Sequence, residues 1–128
     1  MSNYSFGKHV DIGFEQAIER VTQALAKEGF GILSDIDVAG TLQKKLGLEV
    51  PAYRILGACN PQFAHRALEA EPQIGALLPC NVVVRKDGAR TIVEMMDPLA
   101  VMQLVGKPEE AKIAQEVRGR LDRVLAAL

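Results

Sequence analysis

Apolar residues along this chain change their period several times, and each change marks an element. Phe14, Ala17, Ile18, Val21 and Leu25 fall three or four apart, the spacing of one helix face, and Gly29 follows as a stop. Residues 4–10 ahead of this helix and residues 30–33 behind it predict short strands. Asp37 stands where a helix start needs a side-chain acceptor, with Val38, Leu42 and Leu46 on one stripe and Gly47 as terminator. Residues 53–58 are apolar apart from Arg54 and predict another strand. It runs into Asn60-Pro61, an N-cap residue followed by the residue best suited to the first helical position. The helix that starts there carries Phe63, Ala67 and Leu68 and breaks at Pro72, with a loop through Gly75 beyond it.

Residues 77–85 and 90–96 flank Asp87-Gly88, a dipeptide favoured in two-residue type I′ hairpin turns because both central residues need positive φ. With that turn, Val84 faces Thr91, Val82 faces Val93 and Cys80 faces Met95, and these six side chains share one face. Asn81, Val83, Arg85, Arg90, Ile92 and Glu94 form the other, more polar face. Pro98 opens a short helix through residue 105. Pro108 opens the last helix, over 108–127, with Glu109 and Glu110 in its first turn and Ile113, Val117, Leu121, Val124 and Leu128 as one apolar stripe. Strands separated by helices and followed by a hairpin predict an α+β fold. Residues 1–128 are expected to form one layered domain, with helices on a largely antiparallel or mixed sheet and a β-hairpin near residues 77–96.

Composition narrows the function classes. A chain of 128 residues with 48% hydrophobic content fits one domain that buries about two-thirds of its unfolded surface. Fifteen basic and sixteen acidic residues leave a formal charge of -1 without long runs of one sign, so no nucleic-acid footprint is visible. No apolar run approaches the roughly 18 residues of a membrane span, and the first ten residues lack the apolar core of a signal peptide. A cytoplasmic protein is expected. The two cysteines, Cys59 and Cys80, are then expected as reduced thiols rather than as a structural bridge.

Four ordered phrases carry a family likeness: Gly29-Phe30-Gly31-Ile32-Leu33, Asp35-Ile36-Asp37-Val38, Tyr53 to Pro61 (YRILGACNP) and Leu78 to Val84 (LPCNVVV). As a set they make the chain resemble the domain of unknown function 302 family of bacteria and archaea, over about residues 3–105. The resemblance implies an α+β domain that forms a homodimer, and it brings no established reaction. Both cysteines look like a subgroup feature within it, and the final helix lies beyond it.

Candidate chemistry centres on the cysteines. Cys59 precedes the Asn60-Pro61 helix start, where amide dipoles lower a thiol pKa, and with Cys80 it offers a redox couple or a soft site for Zn(II) or Cu(I), Met95 adding a thioether. The simpler reading makes both thiols core fillers, since the pair lacks CxxC-like spacing and no metal or other cofactor is otherwise indicated. His65 and Glu69 are four apart on one helix face, where an exposed polar pair competes with a general base. Arg54 interrupts an apolar strand and either binds an anion or pairs with Glu94 or Asp97. No catalytic triad, paired carboxylates or HExxH signature is present. The expected function is therefore a homodimeric module that binds a small ligand or a protein partner through Cys59, Cys80, Asn60, Arg54, His65 or Glu94. A thiol-dependent redox or soft-metal protein is the alternative, and an enzyme of unspecified reaction the second.

Overall fold

The computed structural model describes residues 2–128, and its centre is one five-stranded antiparallel sheet. In chain order the elements are β1 (Ser5–Val10), α1 (Phe14–Lys27), β2 (Gly31–Asp37), α2 (Val38–Leu46), β3 (Tyr53–Cys59), α3 (Pro61–Ala70), a 3-10 turn (Pro72–Leu77), β4 (Cys80–Asp87), β5 (Arg90–Met96), α4 (Pro98–Met102) and α5 (Pro108–Ala126). The strands lie in the order β1-β5-β4-β3-β2, so β1 and β2 are the edges.

Alternation along the strands explains which face is covered. Leu56, Ala58, Val82, Val84, Val93 and Met95 point to one side and are buried against α1, α3 and α5. α1 contributes Ala17, Val21, Ala24 and Leu25 to this core, and α5 contributes Ile113, Ala114, Val117, Leu121 and Val124. The stripe on the last helix is thus consumed by its own domain and leaves no spare apolar surface.

The opposite face carries no helix layer of this kind. One row runs across it from Ile36 through Ile55, Val83 and Glu94 to Gly7, and the next from Tyr53 through Arg85 and Ile92 to His9. Arg85 donates from Nε to Glu94 Oε1 at 2.6 Å, and His9 Nε2 lies 3.4 Å from Asp87 Oδ2.

The hairpin forms with its register shifted by two residues. Asp87 pairs with Arg90, so the loop is Gly88-Ala89, and the pairs become Val84–Val93 and Val82–Met95. Only Gly88 has positive φ, at 60°, which suits a type II′ turn with glycine first rather than the expected type I′. Because the side-chain period is two, this shift changes partners and leaves both faces intact.

Other boundaries moved for local reasons. β4 begins at Cys80 rather than at residue 77, since the preceding residues wind into the 3-10 turn. β2 extends to Asp37 through the polar run Ser34-Asp35, which an edge strand tolerates. α4 ends at Met102 rather than at residue 105. Asp37 caps α2 as expected, its Oδ1 accepting from the Gly40 amide at 2.9 Å. Arg118 ties the chain's ends together: its guanidinium lies 3.7 Å from the Phe6 ring centroid and donates to Asp97 Oδ2 at 2.8 Å.

Candidate functional site

Where β3 and β4 meet α3 and α5, the covered layer is not filled. A cavity of about 330 Å³ lies there, walled by Phe30, Phe63, Ala67, Met102, Ile113 and Val117 among others. The sequence positions this wall directly: α3 turns Phe63 and Ala67 inward one helical turn apart, and α5 brings Ile113, Ala114 and Val117 to meet them. Gly57, just inside the end of β3, has no room for a side chain, because a Cβ there would stand 2.3 Å from Ser34 Oγ and 3.0 Å from Pro79 Cγ. The backbone can approach Pro79 closely at the cavity's edge for that reason.

Both cysteines line this cavity as free thiols. Burial, with a smaller contribution from the neighbouring Cys59, pushes the Cys80 thiol up to about 11. Cys80 is therefore a neutral thiol at physiological pH. The expected thioether neighbour Met95 lies in the core opposite Val82, a consequence of the two-residue shift, and Met96 and Met102 reach the cavity instead. Among the described residues no three His, Cys, Asp or Glu side chains are grouped so that they could hold a metal ion.

Asn60 also borders the cavity, but its side chain does not cap α3. Its Nδ2 donates to the Glu28 carbonyl at 3.3 Å, which also accepts from Arg120 Nη1 at 3.0 Å. The first turn of α3 is closed by backbone alone, from the Ala64 amide to the Asn60 carbonyl at 2.9 Å.

The remaining sequence candidates lie elsewhere. His65 contacts Glu69 at 3.2 Å on the exposed face of α3. Arg54 pairs with Asp35, from Nε to Oδ1 at 2.7 Å, and lies 3.8 Å from Glu15, not with Glu94 or Asp97. That hydrogen bond and the guanidinium charge hold the Asp35 carboxyl below its ordinary range. Glu94 belongs to Arg85 on the open sheet face, and Asp97 to Arg118.

One cavity residue was passed over in the sequence. Glu110 is 0% exposed, sits in the cavity wall, and neither carboxyl oxygen has a hydrogen-bond partner. Burial raises its pKa, the nearby Glu71 and Glu109 charges add to the effect, and Lys107 opposes it. The signal was available: Glu110 stands three, four and seven residues before Ile113, Ala114 and Val117, on the buried stripe of α5. Reading it only as a first-turn acid missed that period.

A single five-stranded antiparallel sheet backed by helices, with an apolar cavity between the layers, defines a small α+β domain. The profile of the domain of unknown function DUF302 matches residues 6–128, so the chain belongs to that family. The match runs through the final helix, which is thus part of the family domain rather than an addition to it. A solved structure, described as an uncharacterized conserved protein DUF302 from Bacillus stearothermophilus, is 32% identical with a TM-score of 0.92, covering 98% of each chain. No curated protein matches the chain. No helix among the described residues is long and apolar enough to cross a membrane.

Proposed function

We propose that the protein is a small-ligand-binding module whose site is the cavity between α3, α5 and the ends of β3 and β4. The observation that carries this reading is a half-open apolar pocket of about 330 Å³, walled by the core residues Phe30, Phe63, Ala67 and Val117 and by the exposed Leu33 and Leu68 at its mouth. Apolar walls left against water are unfavourable, and an apolar occupant that removes them from water gains that free energy. An engineered apolar cavity of about 150 Å³ takes benzene. This one therefore accommodates a single ring with a short arm. The free thiols suit a reducing, cytoplasmic compartment. An NMR titration with n-propylbenzene tests the reading: amide shifts should move around Cys59, Phe63, Met102 and Val117 and stay fixed on the open sheet face. A saturating titration that moves none of them sinks it.

The same module is proposed to work as a homodimer. Ile36, Ile55 and Val83 form an apolar row on the open face of the sheet, and α2 beside it has no buried residue, with Leu46 65% exposed. A nine-residue helix without a packed face is marginal in water. A second copy is the favoured cover because the same face pairs a cation with an anion, Arg85 with Glu94, beside the His9–Asp87 contact, a balance that a two-fold axis matches to itself.

A further inference from the structure

Resting on the cavity reading, we propose that the ligand is a small apolar molecule carrying a protonated amine, its hydrocarbon part in the cavity and its cation against the Glu110 carboxylate. Glu110 is fully buried in the cavity wall with both oxygens unpartnered, a state that costs free energy until a donor arrives. Among the described residues none donates to either oxygen. No Lys, Arg or His lines the cavity, and the Asn60 amide is directed to the Glu28 carbonyl. Lys107, the nearest cation, is held by Glu71 Oε1 at 2.8 Å and donates to the Ala70 carbonyl at 3.4 Å.

Charge selects the sign of the ligand. Glu110, Glu71 and Glu109 together outnumber Lys107 at this end of α5, so a carboxylate ligand meets net repulsion and an ammonium meets attraction. Elsewhere in the wall the groups that titrate are the thiols of Cys59 and Cys80, the latter neutral. Burial shifts the carboxyl of the empty site toward its protonated form, because it penalises the charge. When an ammonium enters, any proton on Glu110 leaves to solvent and the ammonium keeps its own, so up to one proton is released for each ligand bound, the most at low pH. Amine affinity therefore rises with pH across the range in which the empty site would hold its proton, then levels off.

The test is a calorimetric titration of the full chain with three probes of one shape: 2-phenylethylamine, n-propylbenzene and 3-phenylpropionate. Pairs of buffers of different ionisation heat, from pH 4.5 to 8, count the protons. The expected result is that the amine binds at least tenfold more tightly than the hydrocarbon at pH 8. It also releases up to one proton at low pH, and it loses both properties in Glu110→Gln while propylbenzene still binds. Equal binding of amine and hydrocarbon, or tightest binding of the carboxylate, overturns the amine class and leaves the cavity reading standing. Amine binding undiminished in Glu110→Gln overturns the role of the carboxyl. If no probe binds, both readings fall. Proton counting on the unmodified protein keeps the test decisive even if the variant folds poorly.

Discussion

Cys80 faces Ala58 across β3 and β4, which leaves Cys59 one residue out of step with it. Successive strand side chains point to opposite sides of a sheet, so the two thiols leave their strands in opposite directions although both border one cavity.

The deeper burial of Cys80 predicts thiols of unequal reactivity. With its pKa near 11, Cys80 should carry only about one part in ten thousand of thiolate at pH 7 and alkylate roughly a hundredfold more slowly than an unhindered thiol. Mass spectrometry of iodoacetamide-treated protein should place the early label on Cys59, and Cys59→Ser should abolish it. Early labelling of Cys80, or protection of both thiols by Zn(II) or Cu(I), would show that they act together. The sign of the pH effect follows. A pKa raised from 9.0 to about 11 means that the unfolded chain ionises first, so this contribution to stability is complete below pH 9 and is lost between pH 9 and about 11.

Val82 is fully buried between Leu56 and Met95 on the adjacent strands. Val82→Ala should lower unfolding free energy by about 1–3 kcal/mol in urea titrations with an unchanged m-value. A loss under about 0.5 kcal/mol would mean that the hairpin face is not packed as described.

Glu110 predicts a stability change of unusual direction. Its folded pKa is raised, so its ionisation weakens the fold as pH climbs above the ordinary carboxylate value of 4.5. Glu110→Gln should melt about 3–6 °C above the parent at pH 7 and show no such advantage at pH 4. A variant less stable at both pH values would indicate that the carboxylate is paired after all.

Arg118 combines a ring contact with Phe6 and ion pairs to Asp97 and Asp122, at 2.8 and 3.0 Å, while mostly shielded from solvent. Arg118→Ala should cost about 1–3 kcal/mol. Arg118→Lys should recover only part of it, because an ammonium cannot lie flat on the ring and fork to two carboxylates. Full rescue by lysine would reduce the contact to simple charge pairing.

Assembly is checked by light scattering, which should report about twice 13.9 kDa at tens of micromolar. Ile36→Glu, placed on the exposed apolar row, should return the mass to that of one chain without lowering the helical circular dichroism. A parent protein that is already monomeric removes the dimer.

The strongly periodic segments were legible from sequence. The stripes of α1 and α5, the Asp37 cap and the two faces of the hairpin all follow from local spacing and turn chemistry. The hairpin register was not, because Asp87-Gly88 and Gly88-Ala89 place the same side chains on the same faces and differ in whether Gly88 is the second or the first residue of the loop. The cavity was half legible. Cys59, Cys80 and Asn60 were singled out and do border it, whereas His65, Arg54 and Glu94 have partners elsewhere. Met96 and Met102 enter through the packing of β5 and α4 on α5, which no local pattern records.

The position of β1 has a consequence for how the molecule is made. As an edge strand its sheet neighbour is β5, with Ser5 against Met96 and Val10 against Thr91. During synthesis the first strand therefore emerges long before the segment it pairs with, and a wide loop must close before that edge exists. While β2, β3 and β4 assemble, residues 5–10 wait as an unpaired strand in which Phe6 and Val10 are the apolar side chains. Over that interval their unpaired backbone groups are open to a chaperone or to a neighbouring copy.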